Sequence, residues 1–336
     1  MNEHRVVKLK DIARELGLSE STVSRALSGT GRVSEATRLL VQNAVKKRNY
    51  TPNDIARSLR RRDGRSIGII VTDITNIFFA SVLKGAQMVA HGQGYSTLIS
   101  NSDEEAALET ASLRLMLEKQ VSGLILATVG GSPEQLAQCR RLGVPIVFID
   151  NLPTLGYPYD SVSVDNHKSA YLLTRKLLER GMRRIGVITG PLDQSSGLHR
   201  WEGFERAMQE AQLPIHQLWV RQGDFRVESG YAAMSSILSQ QDTPQAVIVA
   251  NNYMAFGAIR AIRERGQQVP RDIAIVSFDT EDISGLMHPA ITTMNQPAVD
   301  IGRQAAEILI DRLTDNAPEH AVAKVLDPIF VEGNSW

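Results

Sequence analysis

Cysteine is almost absent from this chain of 336 residues, which has only Cys139. A single cysteine cannot form a disulfide within the chain and has no partner at the spacing of a zinc site. We therefore expect Cys139 to be a small buried apolar side chain. The lack of a disulfide framework favours a reducing compartment.

Long apolar runs and a secretion signal are also missing. No stretch approaches the length of a transmembrane helix. Residues 1–10 have charges but no apolar segment followed by small residues. These absences predict a cytoplasmic protein that has no contact with a membrane.

Common catalytic motifs are absent as well. The sequence has no Gly-x-Gly-x-x-Gly after a strand, no phosphate-binding Gly-Lys-Ser/Thr loop, no His-Glu-x-x-His and no Gly-x-Ser-x-Gly. The seven histidines form no cluster with the spacing of metal ligands. We therefore predict that the protein is not an enzyme and has no catalytic residue, metal or cofactor.

The formal net charge is zero, but the charges are unevenly distributed. Residues 1–65 have 15 Lys and Arg against 7 Asp and Glu, or +8, and the remainder has 22 against 30, or −8. A basic segment beside an acidic body indicates a nucleic-acid partner, although a solvated basic surface would give the same count. The length predicts more than one folding unit.

The basic segment has apolar residues at helical spacing, which predict three short helices within residues 9–48. Gly17 would end the first helix, and Ser19 and Ser34 would cap the second and third. Two short helices joined by a tight turn form a helix-turn-helix, whose second helix reads the major groove. A small helical bundle for protein contact is the alternative. The polar residues of the second helix are Glu20, Ser21, Thr22, Ser24 and Arg25.

From Ile67 onward, short β-branched runs alternate with amphipathic helices. This alternation is typical of parallel sheets built from βαβ units, and the length suffices for two lobes. Ligands of open α/β sheets bind beyond the carboxyl ends of the strands, so the residues that follow the runs are candidates for a site. The predicted strands are residues 67–71, 124–127, 146–149, 185–189, 246–250 and 273–278.

The sequence resembles the lac repressor family of bacterial transcription regulators along nearly its whole length. In the basic segment the resemblance is carried by residues 9–13, 18–27, 33–38 and 49–53. In the body it is carried by residues 67–71, 73–79, 123–126, 145–151, 163–166, 181–186, 200–204, 254–258 and 269–273. It implies an N-terminal all-α helix-turn-helix head (1–50), a hinge helix and linker (51–65) and an α/β body (66–336). The body would have two doubly wound lobes of the periplasmic-binding-protein type, with three crossovers between them.

The resemblance also assigns roles in DNA binding. Glu20 and Ser21 would occupy the variable base-reading positions, and Thr22, Ser24 and Arg25 the more general DNA contacts. A hinge helix would pair with that of a second protomer in the minor groove, where an apolar wedge bends the duplex. We therefore expect a homodimer, or a higher oligomer built from it, on a palindromic operator. The hinge residues expected to contact DNA are Ala56, Leu59, which is the wedge, and Arg60.

An effector cleft follows from the same resemblance. Carboxylates and a guanidinium there would give charge-assisted hydrogen bonds to a small polar ligand, and an aromatic ring would lie against its face. Any one of these residues alone is equally well explained by a surface ion pair or a core aromatic. The expected effector-binding residues are Phe78, Phe79, Asp150, Asp165, Gln194, Ser196, Arg200, Phe225, Asn252 and Asp279.

Two departures from the family pattern bear on the effector. Asn252 stands where the family usually has a carboxylate, and Gln194 stands where the purine repressor has an arginine that reads a purine carbonyl. Residues 190–231 otherwise resemble the purine and ribose repressors most. We predict a repressor controlled by a sugar or sugar derivative acting as inducer. A purine-type, corepressor-dependent repressor is the alternative, and a solute-binding protein or an α/β enzyme are further rivals.

Overall fold

The computed structural model describes residues 9–28, 33–48, 65–280, 285–314 and 316–336. The chain divides into two compact units, Met1–Asp63 and Gly64–Trp336. The expected hinge contacts Ala56, Leu59 and Arg60 lie outside the described residues, so the hinge helix stays a prediction. Among the helices that are described, none has the length and apolarity needed to cross a bilayer.

The described part of the first unit consists of the three predicted helices, α1 (Leu9–Leu16), α2 (Glu20–Ser28) and α3 (Glu35–Lys47). Gly17 ends α1 with φ +64°, a conformation that glycine adopts readily. Ser19 and Ser34 cap the next two helices, because their hydroxyls accept the backbone N–H groups of Thr22 and Thr37 at 3.1 and 3.2 Å. The small core of this unit contains Ile12, Ala13, Val23, Ala26, Val41 and Ala44.

Lobe 1 of the body is built on a parallel six-stranded sheet. In spatial order its strands are β11 (Ala323–Leu326), β5 (Asp160–Val164), β4 (Ile146–Ile149), β3 (Gly123–Leu126), β1 (Ser66–Val71) and β2 (Ser96–Asn101). Helices α4 (Ile77–Gly92) and α11 (Ala298–Leu313) cover one face, and α5 (Ala106–Glu118) and α6 (Pro133–Arg141) cover the other. Cys139 is buried in this second layer, as expected.

Lobe 2 repeats this arrangement. In spatial order its strands are β12 (Ile329–Val331), β10 (Thr292–Asn295), β9 (Ala274–Phe278), β8 (Ala246–Val249), β6 (Ile185–Thr189) and β7 (Val220–Gln222), and only β12 runs antiparallel. Helices α7 (Asn166–Glu179) and α8 (Ser195–Glu210) cover one face, and α9 (Val227–Leu238) and α10 (Asn252–Glu264) cover the other.

The chain passes between the lobes three times, after β5, after β10 and after β11. Both sheets have the doubly wound order in which the first strand lies between the second and the third. The predicted fold class, a helical head followed by two α/β lobes, is therefore confirmed. Because the strand order reverses beside β1 and beside β6, a crevice is expected at the carboxyl ends of these strands.

Candidate functional site

A cleft between the lobes collects side chains that follow the carboxyl ends of the strands. It bounds about 560 Å³ of space, part of which is open to solvent. Eight of the ten expected effector residues line it, and they include positions as far apart in the chain as Phe78 and Asp279. They are Phe78, Phe79, Asp150, Ser196, Arg200, Phe225, Asn252 and Asp279.

Two expected effector residues lie outside this lining. Asp165 is exposed and caps α7, since its carboxylate accepts the backbone N–H of Lys168 at 2.8 Å. Gln194 is buried behind the wall, where its Oε1 accepts from Asn151 Nδ2 at 2.7 Å and its Nε2 donates to Glu104 Oε2 at 3.2 Å. In this structure Asp165 is a helix cap, and Gln194 contacts the cleft indirectly, through Glu104, which lines it.

Arg200 is the buried cation of the cleft, with a side chain only 6% exposed. Its Nη2 lies 3.7 Å from Asp279 Oδ2, its Nε donates to Asn166 Oδ1 at 2.8 Å, and its Nη1 donates to the carbonyl of Ala250. Burial lowers the pKa of Arg200, and the nearby Asp279 and Asp150 oppose that effect. The guanidinium is thus held by one helix, one strand end and one carboxylate.

Both carboxylates near Arg200 are perturbed by burial. Desolvation raises the pKa of Asp150 to about 6, with Arg200 lowering it and Asp279 raising it further. The pKa of Asp279 is also raised by burial, against the effects of Arg200 and Gln296. Perturbed titratable groups in a cleft are typical of ligand sites.

The backbone around the cleft is locally strained. Within the described ranges, seven non-glycine residues have positive φ, and five of them line the cleft. Such conformations cost energy for residues with a side chain and concentrate at binding sites. Phe225, at φ +67°, packs so closely on Gly190 that a Cβ there would lie 2.1 Å from its Cζ. The five residues are Asp103, Glu104, Asp150, Phe225 and Asp279.

Several lining residues were not anticipated. Gln296 donates to Asp279 through its backbone N–H at 2.7 Å and its Nε2 at 2.9 Å. Its Oε1 is buried without a hydrogen-bond partner among the described residues. Gln296 follows β10, a strand that was not predicted, whereas Asp73 follows predicted strand 67–71 and the strand-end rule could have found it. The others are Asn76, Asp103, Glu104, Arg226 and Asn251.

The polar face of α2 is the candidate DNA interface. Glu20, Ser21 and Arg25 are exposed, while Thr22 and Ser24 are half-buried. The opposite face, with Val23 and Ala26, is buried in the core of the head. Ser21 and Arg25 lie one turn apart, and Arg25 Nε donates to the Ser21 carbonyl at 3.1 Å. This polar face lies opposite the core of the head and is suited to contact base edges.

A polar reading helix in one unit and a two-lobed ligand cleft in the other define a ligand-responsive DNA-binding regulator. The family of bacterial regulatory proteins named after lacI matches residues 8–53, and the periplasmic binding protein-like domain matches residues 174–336. The transcriptional repressor PurR of Proteus mirabilis is 36% identical over 329 residues, which are 97% of this chain and 96% of that protein. The chain belongs to the lac repressor family, as its motifs predicted, and is a transcription repressor rather than an enzyme.

Solved structures agree with this assignment. The lac repressor dimer bound to operator and the anti-inducer ONPF is 26% identical, with a TM-score of 0.84, over 98% of this chain and 99% of that one. The transcriptional regulator CelR in complex with cellobiose is 28% identical, with a TM-score of 0.74, over 98% of this chain and 100% of that one. No group of three His, Cys, Asp or Glu side chains in the described ranges is arranged to hold a metal ion.

Proposed function

We propose that this repressor senses a neutral sugar or sugar derivative, which acts as an inducer. The charge balance of the cleft carries the proposal. Ionised carboxylates can only accept hydrogen bonds, so they favour an effector rich in O–H donors and disfavour one with a phosphate or carboxylate. The lining has five carboxylates, Asp73, Asp103, Glu104, Asp150 and Asp279, against two guanidiniums, Arg200 and Arg226.

The remaining lining groups fit the same class of ligand. Ser196 and Asn251 are neutral polar groups, and Phe78 and Phe225 provide aromatic surface on which an apolar sugar face can rest. Gln296 Oε1 is a buried acceptor that a ligand hydroxyl would satisfy. The relative CelR, whose structure contains cellobiose, supports a sugar in a cleft of this fold.

A purine corepressor is the second candidate, and the relatives named PurR favour it. The aromatic rings fit a purine as well as a sugar. However, a purine base offers fewer donors to the carboxylates than a sugar ring does. Gln194, at the position expected to read a purine carbonyl, has its Oε1 and Nε2 engaged by Asn151 and Glu104.

Thermal melting of the full-length protein with a ligand panel separates the candidates. The panel contains neutral pentoses and hexoses, their phosphates and acids, hypoxanthine and guanine. A ligand at about 100 times its Kd stabilises the folded state by about 2.7 kcal/mol, which raises the Tm measurably. We expect a neutral sugar to raise the Tm and to weaken operator binding. If only purines raise the Tm and operator binding tightens, the sugar proposal is wrong and the corepressor reading replaces it.

For the DNA side, we propose a cytoplasmic homodimer that reads a palindromic operator through the head (1–50) and the hinge (51–65). Glu20 and Ser21 would read bases, Thr22, Ser24 and Arg25 would contact DNA more generally, and Ala56, Leu59 and Arg60 would lie in the minor groove. The basic charge of residues 1–65 supports steep weakening of binding with salt. Replacing Leu59 by Gly should reduce operator affinity severely and leave the melting of the body unchanged. Unchanged operator affinity would contradict the hinge assignment.

A further inference from the structure

Two carboxamides join the lobes across the cleft, Asn76 at the start of α4 in lobe 1 and Asn252 at the start of α10 in lobe 2. Asn252 Nδ2 donates to Asn76 Oδ1 at 2.9 Å, and Asn76 Nδ2 donates to Asn252 Oδ1 at 3.1 Å. The two residues are only 8% and 2% exposed. Paired hydrogen bonds shielded from water are stronger than the same bonds at the surface.

Asn252 has no hydrogen-bonding capacity left in this arrangement. Its Nδ2 also donates to the carbonyl of Asp279 at 3.1 Å, and its Oδ1 also accepts the backbone N–H of Tyr253 at 2.8 Å. A carboxamide has two donor hydrogens and two acceptor lone pairs, and all four are used here. The residue expected to contact the effector therefore has its polar atoms committed to the protein.

Asn76 is fixed from its own side. Its Oδ1 accepts the backbone N–H of Phe78 at 3.1 Å, so it caps α4 while it binds Asn252. Each amide is thus held by the first turn of a helix in its own lobe, in addition to its hydrogen bonds with the other amide. Beside them, the hydroxyls of Thr75 and Tyr253 lie 3.1 Å apart in an exposed contact between the same two lobes.

We propose that Asn76 and Asn252 form an inter-lobe latch, a pair of positioning residues that holds the cleft closed without an effector. The latch fixes the first turns of α4 and α10 against each other and thereby sets the distance between the two walls of the cleft. This role does not depend on the chemical class of the effector, because it is carried by contacts between protein groups.

The latch requires an amide on both sides, which makes it testable with side chains of nearly equal shape. An aspartate at either position can accept but not donate, so each single substitution, Asn76→Asp or Asn252→Asp, keeps one of the two cross-lobe hydrogen bonds. With both substitutions, two carboxylates would face each other at about the same separation. Like charges this close repel strongly in a buried site, and the pair would share a proton unless the pH is high enough to ionise both. The double variant is therefore measured at alkaline pH.

The experiment measures lobe separation in the full-length protein without ligand. Nitroxide labels on Ala107→Cys in α5 and Ala232→Cys in α9, both exposed, report the distance across the cleft by double electron–electron resonance. Cys139 is buried and is left in place. Labelled protein is diluted with unlabelled protein, so that only pairs within one chain contribute. Thr75→Val, which removes the neighbouring exposed contact, is the matched control.

We expect one short distance for the labelled parent and for Thr75→Val, a minor longer distance for each single aspartate variant, and a predominant longer distance for the double variant. A double variant that folds and keeps the parental distance overturns the proposal. If the double variant does not fold, Asn76→Ala, Asn252→Ala and their combination replace it. A latch then predicts that each single alanine variant shows a longer distance and that the combined variant opens no further than either. No opening in any variant, or additive opening in the combined one, overturns the latch.

Discussion

The two lobes share a fold and a strand order but bring different charges to the cleft. Every charged lining residue of lobe 1 is a carboxylate, namely Asp73, Asp103, Glu104 and Asp150. Lobe 2 contributes both guanidiniums, Arg200 and Arg226, and a single carboxylate, Asp279. The topology therefore determines where the loops of the two lobes meet, and the residues in those loops determine the sign of the charge on each wall of the cleft.

The opposite walls attract each other, but burial decides how much each contact contributes. Arg200 is buried 3.7 Å from Asp279 of its own lobe, and its charge also interacts with that of Asp150 in the other lobe. Arg226 also reaches lobe 1, where its Nη2 donates to the carbonyl of Asp103 and lies 3.7 Å from Glu105, but this contact is exposed. Four substitutions test this comparison, in order of decreasing expected effect.

Arg200→Ala should have the largest effect. It leaves the Asp279 carboxylate buried without its cation and removes donors to Asn166 and Ala250, so the free energy of unfolding should fall by about 3–5 kcal/mol. Urea denaturation of the unliganded protein measures this loss. The family resemblance implied that Arg200 binds the effector, and the structure adds this stabilising role. An unfolding free energy within 1 kcal/mol of the parent would contradict it.

Asp150→Asn should alter the pH dependence of stability. Because burial raises the pKa of Asp150 from 3.8 to about 6, the folded state binds a proton more tightly than the unfolded state. The contribution of Asp150 to the free energy of unfolding is therefore favourable below pH 4. It is lost as the pH rises through about 6, which lowers that free energy by up to about 3 kcal/mol. The variant should therefore match the parent near pH 4 and exceed it in stability at pH 7. Parallel stability curves over this range would refute the assignment.

Gly190→Ala tests the aromatic wall of lobe 2. The added methyl group would lie 2.1 Å from Phe225 Cζ, so the ring must move, at a cost of about 1–3 kcal/mol for overpacking. Gly156→Ala is the control, since no atom lies within 4 Å of a Cβ there. Thermal melting of the two variants should separate them. Equal Tm values would mean that the Phe225 ring moves aside without a loss of stability.

Arg226→Gln should have the smallest effect. Its ion pair with Glu105 is more than half exposed on both sides, and such pairs contribute about 0–1 kcal/mol. We expect a change of unfolding free energy within that range, and one that diminishes with added salt. A loss as large as that of Arg200→Ala would show that exposure does not distinguish the two contacts.

The strands that could be predicted from the sequence are those buried on both faces. Residues 67–71 and 246–250 are continuous apolar runs, and they correspond to β1 and β8 within one residue. β5 has the sequence Asp-Ser-Val-Ser-Val and is fully buried, but its serines interrupt the continuous apolar run by which the other central strands were predicted. The edge strands β2 and β11 are half-exposed and have no clear apolar run.

The site residues also divide into those that could be predicted from the sequence and those that could not. Asp150 and Asp279 were expected in the cleft from the family resemblance, and both directly follow predicted strands, whose ends line the cleft. Gln296 was missed along with its strand. Asp165 also follows a strand, but its carboxylate turns to the N-terminus of α7, and the sequence does not distinguish a cap from a ligand contact. The commitment of Asn252 to Asn76 depends on the approach of two lobes, which no local pattern records.

The crossover after β10 sets the order in which the body can be completed during synthesis. Lobe 1 begins first, but α11 supplies Ile301, Ala305 and Leu309 to its core, and β11 joins its sheet only after all of lobe 2 except β12 and the C-terminal residues has been made. A ribosome-bound chain ending near residue 290 would therefore have most of lobe 2 but an uncovered face on lobe 1. Domains usually fold as they emerge, and exposed apolar surface invites association. Lobe 1, whose first strand is made first, is thus completed only after most of lobe 2 has emerged.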